Sequence, residues 1–370
     1  MAVFKIFPTA DTTLYSRFPN QNTGLDEILE VSVKNNPDSI SYLVDPDPNS
    51  VILQDDIRRS LILFSDEDIL RIEPFATSSG WRTNLRLYLA NAENLNTTYS
   101  LQVSQVSSSW TMGTGKFSDY PVTINGACWY NPNQYVGTAN AWGGNTSYFL
   151  TPGGGDTTGS YTVSQSFSYK DNKDLNLDVS NIVVNWFSGH RNAGFLVKHP
   201  DQVEQDSGSF MALNFFSVDT HTIYPPTLEV KWDDSYYSTG SLVTINNNQF
   251  VASIDNNLGT FKYNTQKYQF RVNARDKYPT RAFVTSSVYN VNKALPRTSY
   301  WAIQDVKTED MVVDFDTTFT KISCDGQSSY FDVHMDGLEP ERYYKLLLRA
   351  VLPTSESIDI DDNYIFKIVR

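Results

Sequence analysis

Closely spaced carboxylates are the first residues in this sequence that could do chemistry. They occur at Asp26-Glu27, Asp45 and Asp47, Asp66-Glu67-Asp68, and Asp359 to Asp362. A glycoside hydrolase needs two such groups across a sugar site, but Asp and Glu total 42 against 29 Lys and Arg. Acidic pairs are therefore expected in solvated loops. DPDPNS (Asp45 to Ser50) and DIDDN (Asp359 to Asn363) offer closely spaced oxygens, but lack the glycine and distal glutamate of an EF-hand loop. His190, His199, His221 and His334 form no HExxH and no close pair with a cysteine. Cys128 and Cys324 are far apart in sequence and read as two separate thiols rather than a disulfide. No GxSxG elbow, P-loop or GxGxxG is present, and Gly153 to Gly155 reads as a flexible turn. The expectation is a protein that is not an enzyme and holds no metal and no cofactor.

One cluster has a sharper reading. Trp129, Tyr130, Tyr135, Trp142, Tyr148 and Phe149 fall in a stretch rich in Asn and Gly, from Cys128 to Gly155. Exposed rings stack on the apolar faces of sugars, and they also anchor protein interfaces. The same rings could pin the loop against its own domain or a neighbouring subunit. A connection this long is usually functional or disordered, and ring density argues against disorder. The loop is therefore expected to make the main contact outside its domain, to protein or glycan, through Trp129, Tyr130, Tyr135, Trp142 and Tyr148.

The elements that position these residues are short alternating runs, such as Glu27 to Lys34, Thr98 to Val106, Thr227 to Trp232 and Lys267 to Ala274. Period two predicts strands with one buried face, separated by turns rich in Gly, Asn, Asp, Pro and Ser. Two stretches have helical spacing. Ser65 to Ile72 predicts a helix capped by Ser65, and Asp178 to Gly189 one capped by Asp178 or Ser180 and stopped by Gly189. The fold class is thus mainly β. At 370 residues, with 40% hydrophobic and 19% charged residues, the chain is globular and long enough for more than one core. A first border is expected near Asp233 to Ser241. It divides residues 1–233 from small β domains over 234–296 and 297–370, and the last two can also be read as one. Pro340 at a strand start and the alternation after it place Tyr343 in a position similar to the tyrosine corner of immunoglobulin-like sandwiches.

A formal net charge of -13 argues against a nucleic-acid or anionic-membrane partner, because both need clustered Lys and Arg. No apolar run approaches the ~20 residues that span a bilayer, and the start at Met1 shows no secretory signal.

Residues 1–233 resemble the DNRLRE family of β-sandwich domains. The carrying segments are Ala10 to Ser32, Thr83 to Glu93, Ser107 to Pro121, Leu177 to Lys198 and Phe215 to Trp232, with Trp186, Gly189, Asn192 and Gly194 in the fourth. The resemblance implies a jelly-roll-like sandwich. Gln266 to Phe283, Lys293 to Asp305, Phe315 to Arg349 and Asp361 to Arg370 are similar to tails of structural proteins of T4-like marine cyanophages. Together these resemblances imply a non-enzymatic virion component of the tail, neck or baseplate, assembled in the host cytoplasm. It would act as an oligomer or symmetric assembly with other virion proteins. The alternative is a carbohydrate-binding module of a host-recognition fibre or adhesin.

Overall fold

A computed structural model describes residues 2–34, 56–77, 79–106, 108–134, 142, 161–206, 210–263, 265, 267–279 and 291–370. The fold is mainly β, of the β-sandwich class, with several antiparallel sheets, one curled into a half-barrel. The chain divides into two compact units. The first is Ile6–Pro74 with Thr83–Glu229, and the second is Met1–Lys5, Phe75–Arg82 and Val230–Arg370.

In chain order the first strands are β1 (Ala2–Ile6), β2 (Ala10–Tyr15), β3 (Ile28–Lys34), β4 (Asp56–Leu63), β5 (Ser79–Leu87) and β6 (Leu89–Glu93). Next come β7 (Thr98–Gln105), β8 (Thr162–Ser168), β9 (Leu175–Asp178), β10 (Phe195–Lys198), β11 (Phe210–Phe216) and β12 (Thr227–Asp233). In the first unit an eight-stranded sheet runs β6-β11-β3-β4-β10-β7-β8, with β2 paired to β4 off this path. Burial follows sequence pattern. Alternating β7 buries Tyr99, Leu101 and Val103, whereas β10, flanked by β4 and β7, is buried at all four positions.

Both predicted helices form. In α1 (Asp66–Ile72) the Ser65 hydroxyl accepts from Asp68 N at 3.0 Å, and Asp66, Glu67 and Asp68 complement the positive helix end. Helix α2 (Ser180–Phe187) buries Ile182, Val183 and Trp186. Its side-chain cap is absent, because Val179 occupies the N-cap position. Asp178 accepts instead from Ser180 N at 3.0 Å, and Ser180 Oγ accepts from Thr83 N. The helix stops at Gly189, whose φ of 90° suits a residue without Cβ. Gly189 N donates to Trp186 O and His190 N to Asn185 O, as in a Schellman ending. A short α3 (Asp201–Glu204) follows β10.

The second unit continues with β13 (Tyr237–Ser238), β14 (Phe250–Ile254), β15 (Thr260–Lys262), β16 (Tyr268–Asp276) and β17 (Ser299–Asp305). It ends with β18 (Met311–Val313), β19 (Ser323–Asp325), β20 (Ser329–Val333), β21 (Tyr343–Val351) and β22 (Ser357–Val369). Two five-stranded sheets form, β13-β19-β20-β16-β14 and β15-β22-β21-β17-β18. One buried cluster from Val3 and Ile245 to Ile368 contains Phe261, Phe270, Trp301, Phe331, Tyr344 and Phe366. Residues 234–296 and 297–370 therefore share one core. β16 pairs with β20 and β15 with β22, so each sheet draws strands from both stretches. Residues 2–5, 75–82 and 230–233 also belong to this unit rather than to the first: Trp232 stacks on Phe75 at 4.1 Å, and His334 packs against both rings and Phe4.

The tyrosine corner is present one residue away from its expected place. Tyr344, 2% exposed, donates its hydroxyl to Glu339 O at 3.0 Å, whereas Tyr343 is 55% exposed. The strand alternates from an exposed Tyr343, so a shift of one position exchanges the core face for the solvent face.

Candidate functional site

The site begins at one buried amide. Asn22 is fully buried in the connection between β2 and β3, and its side chain uses both ends. Its Nδ2 donates to Met112 O at 2.7 Å and Ala127 O at 2.9 Å, and its Oδ1 accepts from Gly115 N at 2.9 Å and Gly24 N at 3.3 Å. Four loop backbone groups thereby find partners without water. Gly113 has φ 79°, and a Cβ there would overlap the Asn22 amide. Backbone bonds Asn22 N to Thr123 O and Leu25 N to Gly115 O, both 2.9 Å, extend the clamp. Gln21 Nε2 donates to Phe117 O at 2.8 Å, and the Asp26 carboxylate accepts from Phe117 N. Backbone and hydroxyl donors at Lys116 and Thr123 hold the Asp119 carboxyl below its ordinary range.

The inner side of residues 108–134 is apolar. Trp110, Ala127 and Trp129 join Leu14, Leu61, Val106, Ala193 and Leu196 in one buried cluster, together with Trp142. The ring nitrogens are satisfied by backbone: Trp110 Nε1 donates to Ala193 O and Trp142 Nε1 to Cys128 O, both at 2.9 Å. Arg59 lies over the Trp129 ring, 4.9 Å from its centroid, and makes a two-point ion pair with Glu204 of α3. Cation–π contact and ion pair thus join β4, the loop and α3.

Of the residues expected to face a partner, Trp129 and Trp142 are therefore core residues, the latter 1% exposed. Tyr130 is half-buried against the same cluster, with its N–H on Pro19 O at 3.1 Å. Tyr135 and Tyr148 lie outside the described residues. The exposed apolar side chains of this region are others than those five. Phe18 and Phe117 meet edge to face at 5.4 Å, Phe117 also packs on Tyr15 at 4.9 Å, and Val122 and Ile124 are exposed. Tyr120 is 98% exposed. The available signal was FPNQNTG (Phe18 to Gly24) facing a glycine-spaced loop, with Gly113, Gly115 and Gly126.

Other groups in the chain also have chemical potential. Cys128 and Cys324 are buried free thiols, and burial pushes both pKa values up. Asp359 and Asp361 pair with Arg349 and Lys345, and DPDPNS lies outside the described residues. His199 is fully buried beside Ser100 and Val31 backbone, with no well-formed hydrogen bond at either ring nitrogen. Burial lowers its pKa to about 4. Asp11, 1% exposed, accepts from Val218 N at 2.7 Å through Oδ2, while Oδ1 has no partner. Burial, with the Asp219 charge adding, raises its pKa to about 8. Among the described residues no three His, Cys, Asp or Glu groups gather for a metal, and no helix is long and apolar enough to cross a membrane. No family model, curated protein or solved structure matches the chain.

Proposed function

We propose that this protein is a non-enzymatic structural component of a phage virion, in the tail, neck or baseplate, that works through protein–protein contacts. The observation that carries the contact reading is the loop around Tyr120. It is clamped from beneath by Asn22, yet it presents Phe18, Phe117, Tyr120, Val122 and Ile124 to solvent. An apolar face on an ordered backbone loses little conformational freedom when covered, which favours association. The sequence resemblances of residues 1–233 and of the later segments supply the virion setting, and repeated virion fittings supply the expectation of a symmetric oligomer.

The test is cross-linking mass spectrometry on purified particles, paired with the double variant Tyr120→Ser, Ile124→Ser. The protein should be present, with cross-links from Lys116 to a neighbouring virion protein or a second copy. The variant should keep its melting temperature and fail to enter particles. Absence from particles, or normal incorporation of the variant, would end this reading. A glycan array positive on this face would move the function to host recognition.

A further inference from the structure

The second unit carries a concavity lined by both polar and apolar groups. It has a volume of about 370 Å³, within the range of small-ligand cavities, and lies on the outer face of strands β14 and β16. Strand pairing places Val251 opposite Arg275 and Ser253 opposite Asn273, and strand period two sends all four to one face with Asp255. Asn292 closes one side.

These groups order one another. Asp255 accepts from Ser253 Oγ at 2.9 Å and from Asn273 Nδ2. Asn292 Nδ2 donates to Asn273 Oδ1 at 3.0 Å and to Gln327 O at 2.8 Å, while its Oδ1 accepts from Ala274 N at 3.1 Å. The two amides are therefore fixed in orientation. Among the described residues, after those bonds Asn273 keeps one N–H, Asp255 and Ser253 keep lone pairs, and the Arg275 guanidinium donates to Asp276 O at 3.1 Å. The free valences are thus donors and acceptors side by side, held in place before any ligand arrives.

We propose that this concavity binds a neutral, hydroxyl-rich ligand, a mono- or disaccharide. Each sugar hydroxyl both donates and accepts, so a vicinal pair can donate to Asp255 and accept from Arg275 or Asn273. Val251 offers an apolar surface to ring C–H groups. Asp255 and Arg275 place opposite charges in one small cavity, so an ionised ligand attracted by one is repelled by the other, and a neutral ligand meets no such conflict. This assignment is independent of the virion reading and of the Tyr120 face.

The test uses the full chain with glucose, galactose, mannose, N-acetylglucosamine and their common disaccharides, by saturation-transfer NMR and calorimetric titration. At least one neutral sugar should bind saturably in the millimolar range. Arg275→Ala and Asn273→Ala should each weaken it by about tenfold or more, a loss of about 1.4 kcal/mol. Arg275 is part-exposed, so its variant should retain the wild-type melting temperature and report on binding alone. Glucuronate and glucosamine should bind more weakly than the neutral parent. No saturable binding by any sugar in the panel, binding unchanged in Arg275→Ala, or tighter binding of a charged analogue would each overturn the proposal.

Discussion

The first unit keeps Asn22, Asp11, His199 and the Arg59–Glu204 pair away from water, whereas the second fills its interior with stacked rings. There Phe270 stacks on Phe331 at 5.4 Å, and Phe331 on Trp301 at 5.3 Å. The difference follows from what each must immobilise. Paired strands satisfy their own backbone, so a two-sheet sandwich can close over apolar side chains. The first unit also holds long irregular connections, whose backbone N–H and C=O groups need partners that no ladder supplies. Buried polar side chains provide them, and Asp11 and His199 make the first unit sensitive to pH.

The largest expected effect tests that claim through Asp11. Its pKa rises from 3.8 unfolded to about 8 folded, so the folded chain holds a proton that the unfolded chain releases between those values. Stability contributed by this group is full below about pH 4 and is lost as pH rises to about 8. The total is on the order of 6 kcal/mol, taking one pKa unit as about 1.4 kcal/mol. Denaturant titrations of wild type and Asp11→Asn should diverge across that interval, with the variant flatter. Parallel curves would remove Asp11 as the source.

Next come paired truncations, one from each unit. Asn22→Ala leaves two carbonyls and two N–H groups unpartnered. At about 1–3 kcal/mol for each such group the loss should reach about 4 kcal/mol. Phe270→Ala should cost about 3–5 kcal/mol by cavity formation. Trp142→Ala belongs to the same range, because Trp142 is core. Hydrogen exchange separates the mechanisms: Asn22→Ala should deprotect amides of residues 111–127, while Phe270→Ala should deprotect β16 and β20. Equal, uniform deprotection in both would erase the contrast.

His199 gives a smaller and oppositely signed pH effect. Its folded pKa of about 4 lies below the unfolded 6.5, so the unfolded chain binds the extra proton. Stability is full above about pH 6.5 and falls as pH drops to about 4, by about 3 kcal/mol. His199→Gln should lack that acid slope in the same titration. The smallest effect lies in the second unit. Tyr344→Phe loses the bond to Glu339 O and should cost about 1 kcal/mol, while Tyr343→Phe should leave the denaturation midpoint unchanged.

The sequence alone determined the period-two strands, both helix locations, the Ser65 cap and the Gly189 stop, because these depend on residues within a turn or two of one another. Tertiary structure decided what each face meets. Nothing local distinguishes Tyr343 from Tyr344, since the phase of an alternating strand is set by the neighbour it packs on. Trp129 and Trp142 read as contact rings in a polar loop, and only a cluster drawn from β2, β4 and the chain before β10 makes them interior. Asn22 became the centre of the candidate site through bonds to residues about 90 and 105 positions away. Short-range pattern records propensity, but which buried polar group satisfies which distant backbone atom is fixed only when the chain closes upon itself.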